Sequence, residues 1–464
     1  MRTIAHPGFP HHRRAPLRPY GARQERGHIR VSYAFAENAF AIGACFVFGS
    51  GVLQALGTPG GEMASQAAGT PAWVQGAFLA IYGCALALLA ARARQAADAI
   101  AAAPLVLILA VFPLLSIGWS ASSDETLRRG VALFGTSVFG IYLGSRFTIE
   151  ALTRILAVTY ALIGFASLIT AVAVPSIGTH TGAEWPGAWK GLLGHKNGLG
   201  ATAAIGTILI IYGLPSVRGL TRLMLLAAIP VLLLLLAKAM STTGVLTFVA
   251  MLAMLAWTRI AQIGPWVAGL AAMTGLVFVI LLLLPYITGD GLGELWAQFG
   301  KSGDISGRLP IWALSWESVN QAPWLGYGYE AFWIPTTNAV KRIHQVLFFL
   351  PFYSHNGLLE TLLNGGIVLV VLVSLVFLSI LVRGLILLFH DRSSFPCSFP
   401  VVFTLFFALS NITESSILAR NSLNWILFCA LAVIVGKRIR LRVRTSHEEP
   451  APAPRYPRPM PRRA

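Results

Sequence analysis

Three kinds of side chain in this sequence can do chemistry by themselves: an imidazole that accepts a proton, cations that hold an anion, and polar groups that fix both in place. His355 stands between Ser354 and Asn356, immediately before a long apolar run. A helix N-terminus disfavours imidazolium, and a neutral ring with an ordinary pKa of about 6.5 suits removal of a proton from a hydroxyl. On the alternative reading, Ser354 or Asn356 caps the helix and His355 is a polar residue of a membrane interface. Arg308 precedes an amphipathic stretch, where a guanidinium and helix-start N–H groups could share an anion; it could equally pair with Asp304 one turn back. Glu360 and Asn364, four residues apart, either orient His355 or are satisfied within a helix bundle. Further cations stand at the starts and ends of apolar runs, at Arg128 and Arg129, at Lys196 beside Asn197, and at Lys238. Together these groups offer fixed positive charge for a departing anion and a base for the attacking hydroxyl.

Other catalytic patterns are missing. The chain has no Asp-x-Asp pair, no His-Glu-x-x-His, no phosphate-binding Gly-x-x-x-x-Gly-Lys-Ser/Thr and no Gly-x-Ser-x-Gly. No metal and no cofactor are expected. The four cysteines, Cys45, Cys84, Cys397 and Cys429, lie in or beside apolar segments without metal-ligand spacing.

The elements that position these residues must be membrane helices. Of 464 residues 56% are hydrophobic and 11% charged, with a mean hydropathy of +0.69, far from the roughly 25% charged content of a soluble domain. Apolar runs near the length of a span, about 17 to 25 residues, cover 36–56, 73–91, 100–119, 128–145, 151–174, 198–213, 221–238, 243–259, 264–287, 358–382, 399–415 and 421–436. The expected fold is an all-α polytopic bundle of about twelve spans with one large periplasmic loop that contains short amphipathic helices. The expected divisions are a basic tail over 1–33, spans one to nine over 34–289, the loop over 290–357, spans ten to twelve over 358–436, and a basic Pro-rich tail over 437–464.

Charge sets the orientation. Residues 1–30 carry a net +6 and residues 437–464 a net +7 of the formal +17. Basic tails flanking spans place both termini in the cytoplasm and give no support to nucleic-acid binding. Alternate connections are basic, with Arg92, Arg146, Arg218, Arg259 and Arg383, whereas the others carry Glu62, Asp124, Glu184 and Glu414. Arg128, Arg129, Lys196, Lys238 and Arg308 oppose that bias from the outer side. They are read either as ligands for an anion or as cations snorkelling to lipid phosphates.

Within the loop, residues 307–321 read as a short helix ended by Pro323, followed by a tight turn at Gly326-Tyr327-Gly328. Several separated blocks then point one way. Trp119-Ser120 with Asp124 to Arg129, Gly194-His195-Lys196-Asn197-Gly198, Ser306-Gly307-Arg308 with Trp312 and Pro323 to Gly328, and Ser354-His355-Asn356-Gly357 with Glu360 and Gly365-Gly366 resemble the bacterial O-antigen ligase and exopolysaccharide polymerase superfamily. The chain departs from that pattern after the seventh span, where Lys238-Ala239-Met240-Ser241 stands in place of a Ser-Arg pair.

The resemblance implies transfer of glycan from an undecaprenyl-diphosphate-linked oligosaccharide on the periplasmic side of the inner membrane, with His355 and Arg308 in the loop histidine and arginine roles. Arg128, Arg129, Lys196, Asn197, Lys238, Asn356 and Glu360 are candidates for binding substrate. Polymerisation of exopolysaccharide repeat units is the favoured reading, ligation of finished glycan to lipid A core the second, and a polysaccharide flippase or transporter the third. Chain-length regulators or export proteins are possible partners besides the lipid bilayer.

Overall fold

In the computed structural model the described residues are 22–57, 70–182, 185–264, 266–270, 272–273, 308–335, 337–347, 351–391, 394–412 and 414–447. The chain divides into two compact units, Met1–Ala41 and Ile42–Ala464. Helix α1 spans Ala22–Ser50, and the packing and the site discussed below belong to the second unit. Among the described residues the remaining α-helices longer than four residues are α2 (Val52–Gly57), α3 (Ala72–Ala90), α4 (Ala93–Ala102), α5 (Pro104–Leu115), α6 (Ser123–Arg146), α7 (Ile149–Ala173), α8 (Lys196–Gly213), α9 (Gly219–Lys238), α10 (Thr242–Ala261), α11 (Arg308–Gln321), α12 (Asn338–Leu347), α13 (Gly357–His390), α14 (Phe399–Ser410) and α15 (Leu423–His447). Among the described residues there is no strand, only an isolated bridge between Thr179 and Trp189. The all-α polytopic architecture holds.

The expected count of twelve spans is not confirmed among the described residues. Among the described residues six helices qualify, α3, α7, α8, α9, α10 and α13, and a bent pair would make seven. That pair, α4 and the helix from Pro104, turns by 92° where the sequence alone suggests one straight span over 100–119. Proline lacks an N–H and disfavours helical geometry in the residue before it, and Ala103 accordingly has φ −144° and ψ 64°. Helices α6 and α15 cover expected spans but have charged ends, and α14 has only 12 residues. Most of the expected ninth span, 264–287, lies outside the described residues.

Helices α7, α8, α9 and α10 pack on one another around Leu199, Ala203, Ile210, Leu225, Leu232 and Leu235. A second group joins α3, α5 and α15 to α6. Lipid offers no hydrophobic drive between helices, so close backbone approach matters there. Gly140 and Gly144 give α6 a small-residue edge against α15: a Cβ on Gly140 would stand 2.8 Å from the Ile426 carbonyl, and one on Gly144 2.7 Å from that of Ala430.

Helix α13 is broken at Gly365 (φ −154°) and Gly366 (φ 61°). The turn expected to lie in the loop docks into this break. The Tyr327 N–H donates to the Leu363 carbonyl (2.8 Å), while Ile367 N–H donates to Pro323 O (2.8 Å) and Val368 N–H to Trp324 O (3.3 Å). Backbone groups freed by a break inside a membrane need partners, and residues 323–327 supply them. Only glycine fits at 366, where a Cβ would meet the Trp324 carbonyl carbon at 2.2 Å.

Candidate functional site

The segment before α13 is tied down from three sides. Asn356 caps the helix, its Oδ1 accepting from the N–H groups of Leu358 (3.1 Å) and Leu359 (3.0 Å). The Trp312 indole, one turn along α11 from Arg308, donates to the Ser354 carbonyl (2.8 Å). The Glu360 carboxylate accepts from the Ser354 N–H (2.9 Å) and from the Trp333 indole (3.1 Å). Glu360 therefore reaches the backbone beside His355 and not its ring. Asn364 turns elsewhere, accepting from the Glu330 N–H (2.8 Å).

Held in this way, His355 adopts φ 53°, a left-handed conformation costly for a residue with a Cβ and often found at functional sites. Its ring lies 4.1 Å from that of Tyr353. The Nδ1 atom is buried and has no hydrogen-bond partner among the described residues. Burial pushes its pKa down to about 4, and the charges of Arg308 and His195 act in the same direction. His355 is thus a neutral base at pH 7. The Arg308 side chain is 12% exposed and its guanidinium reaches Glu414 at 3.4 Å; Asp304, the other partner considered from sequence, lies outside the described residues.

A second histidine stands in the same field. His195 caps α8, its Nδ1 accepting from the Asn197 N–H (3.2 Å), and the His180 Nε2 accepts from the Lys196 N–H (3.1 Å). The rings of His180, Trp185 and His195 meet edge to face, with centroids 4.9 to 5.4 Å apart. Burial, with the charges of His180, Lys196, Arg308 and Lys190, lowers the pKa of His195 to about 4. The Lys196 ammonium lies 5.0 Å over the Trp185 ring and 3.4 Å from the Met240 carbonyl, and Asn197 Oδ1 accepts from Ser241 (3.0 Å). Lys238 ends α9 with an exposed side chain, while its carbonyl accepts from the Trp189 N–H (3.0 Å).

Arg128 and Arg129 belong to a different cluster. Arg128 and Arg129 both reach Glu125, at 2.5 and 2.9 Å, and Arg129 also donates to the Glu330 carbonyl at 2.6 Å. Arg420 meets the Glu330 carboxylate at 2.9 Å, which holds the Arg420 proton more firmly despite burial. Arg420, Glu330, Glu414, His180 and Lys190 are contributions the sequence reading missed. Arg420 carried a usable signal, because it opposes the expected charge bias as Arg128 does. The others become legible only when distant segments meet.

The arrangement is that of a membrane-embedded helical protein whose polar site joins neutral imidazoles to cations. Residues 223–374, which contain Arg308 and His355, match the family described as O-antigen ligase. Over 314 residues the chain is 26% identical to the exopolysaccharide production protein ExoQ of Rhizobium meliloti (strain 1021), covering 66% of this chain and 70% of that protein. The resemblance to the O-antigen ligase and exopolysaccharide polymerase superfamily is thereby supported from two sides. His195, Lys196, Arg128, Arg129 and Arg420 fall outside the matched family segment.

Proposed function

We propose that this protein polymerises exopolysaccharide repeat units by transferring glycan from undecaprenyl diphosphate on the periplasmic side of the inner membrane. The observation that carries this reading is a half-buried His355, its backbone held by Trp312 and Glu360, in the field of the Arg308 guanidinium. The hydroxyl of one lipid-linked unit attacks the anomeric carbon of the chain held on a second lipid diphosphate. His355 takes the hydroxyl proton, and Arg308 stabilises the charge that develops as the diphosphate leaves. Attack opposite the leaving group inverts the anomeric configuration; a product linkage with the donor's own configuration counts against this step. Both termini lie in the cytoplasm in this reading, as their basic character favours. Chain-length regulators or export proteins are the expected partners.

The description of the matching family favours a second reading, transfer of finished glycan to lipid A core. The test is glycan output of a deletion strain complemented with wild type, His355→Ala or Arg308→Ala at matched membrane abundance. Accumulation of single lipid-linked units in both variants supports the polymerase. Normal polymer with failed lipid A capping identifies a ligase.

A further inference from the structure

We propose that His195 is a further catalytic residue of this site, donating a hydrogen bond from Nε2–H to an oxygen of the departing diphosphate beside Arg308. The inference rests on the transfer reaction proposed above and assigns its two histidines different work. The assignment follows from the hydrogen bond at the start of α8. The Asn197 backbone can only donate, so the Nδ1 atom of His195 that accepts from it at 3.2 Å carries no proton. A neutral ring then holds its proton on Nε2. Among the described residues no acceptor takes that proton. Neutral His195 therefore has no free lone pair with which to act as a base, but it has a donor of fixed tautomer to offer. On His355, by contrast, no hydrogen bond among the described residues ties up Nδ1, so the tautomer is not fixed in the same way and Nε2 can be the basic nitrogen.

The surroundings favour an anion as the acceptor of this hydrogen bond. The charges of Arg308, Lys190 and Lys196 all act on His195, and Arg308 itself reaches Glu414 at 3.4 Å. His180, itself spent on the Lys196 N–H at 3.1 Å, and Trp185 wedge the imidazole edge to face and fix its plane. Preorganised donors of this kind are effective where negative charge develops because they need no reorientation during reaction. In the step itself, the acceptor hydroxyl oxygen bonds to the anomeric carbon as the bond from that carbon to the diphosphate oxygen breaks. The bonding electron pair leaves with the diphosphate and the hydroxyl proton passes to His355. His195 lends its hydrogen bond without giving up its proton.

Two substitutions separate this role from simple capping. His195→Asn keeps an acceptor near the Nδ1 position and so keeps the cap, but it loses the distal donor. His195→Gln places an N–H near the Nε2 position and weakens the cap. Both are assayed in proteoliposomes with the lipid-linked repeat unit extracted from the deletion strain, alongside wild type and His355→Ala. His195→Asn is expected to match wild type in thermal stability while kcat falls about 100-fold, the size typical of a lost oxyanion donor, with KM within about threefold. His195→Gln is expected to melt earlier and yet recover part of that rate. A His195→Asn protein with wild-type kcat, while His355→Ala is inert, overturns the inference and leaves the polymerase reading standing. If wild type instead transfers finished glycan to lipid A core, the polymerase reading falls, and the same variants read the donor on that transfer.

Discussion

Two cationic regions of this molecule are built from similar residues and end in different states. Around Glu330 each of three arginines meets a carboxylate directly: Arg129 and Arg420 converge on Glu330, and Arg128 and Arg129 on Glu125. Around Arg308 the contrast lies in the histidines: Arg308 reaches Glu414, and two imidazoles in its field have pKa values pushed down to about 4. Both regions strain the backbone, Glu330 at φ 49° and His355 at φ 53°. In the first, strain turns a carboxylate toward two arginines from distant segments. In the second, it sets an imidazole whose buried Nδ1 has no hydrogen-bond partner among the described residues. Ion pairs between distant segments hold the first region together, whereas the second sets desolvated imidazoles in a field of cations.

The comparison makes its largest prediction for the Arg308 region. His355→Ala and Arg308→Ala are each expected to lower the transfer rate by about 10²- to 10³-fold at unchanged abundance, the range of a lost general base or electrostatic donor. Single-turnover transfer in purified membranes measures it, and activity within tenfold of wild type for either variant removes that residue from the chemistry.

The Glu330 region should respond in stability rather than rate. Glu330→Gln leaves Arg129 and Arg420 facing each other without the carboxylate. Because these side chains keep 24 to 35% exposure, the expected loss is about 2 kcal/mol, below the 3–5 kcal/mol of a fully buried pair. A lowered Tm with near-normal activity per folded molecule supports the division; an unchanged Tm with lost activity would place Glu330 in the reaction.

Acid distinguishes the regions as well. With folded pKa values of about 4 against an ordinary value of about 6.5, His195 and His355 bind fewer protons folded than unfolded between those limits. Stability from this source is therefore present above pH 6.5 and falls as pH drops toward 4. The transfer rate should hold well below pH 6.5 and decline on a limb near 4. A limb at 6.5 in the rate profile would show that His355 titrates as an exposed imidazole. The smallest effect belongs to Arg128→Ala. Its side chain is 58% exposed and pairs with Glu125 three residues back, so the expected change is about 0.5 kcal/mol in stability and within about twofold in rate.

Much of this was legible in the sequence because it depends on local properties. Among the described residues the apolar runs other than 100–119 fall on helices at or near the expected positions, Asn356 caps α13 as its type and place suggest, and Pro323 follows directly on the turn that ends α11. The blocks around Arg308 and His355 pointed to a superfamily that the two comparisons support. Periodicity could not reveal the 92° turn at Ala103, because continuous hydrophobicity reads alike in a straight span and a bent one.

What only the tertiary structure decided is which charge meets which. Arg308 finds Glu414 at a separation of 106 residues and Arg420 finds Glu330 at 90, distances along the chain at which no helical spacing rule operates. The turn at residues 323–327 reads as a surface loop until the break at Gly365 and Gly366 receives it. Sequence determined where helices form and which residues could carry charge or protons. Three-dimensional packing decided which cations meet which carboxylates and which imidazoles are desolvated.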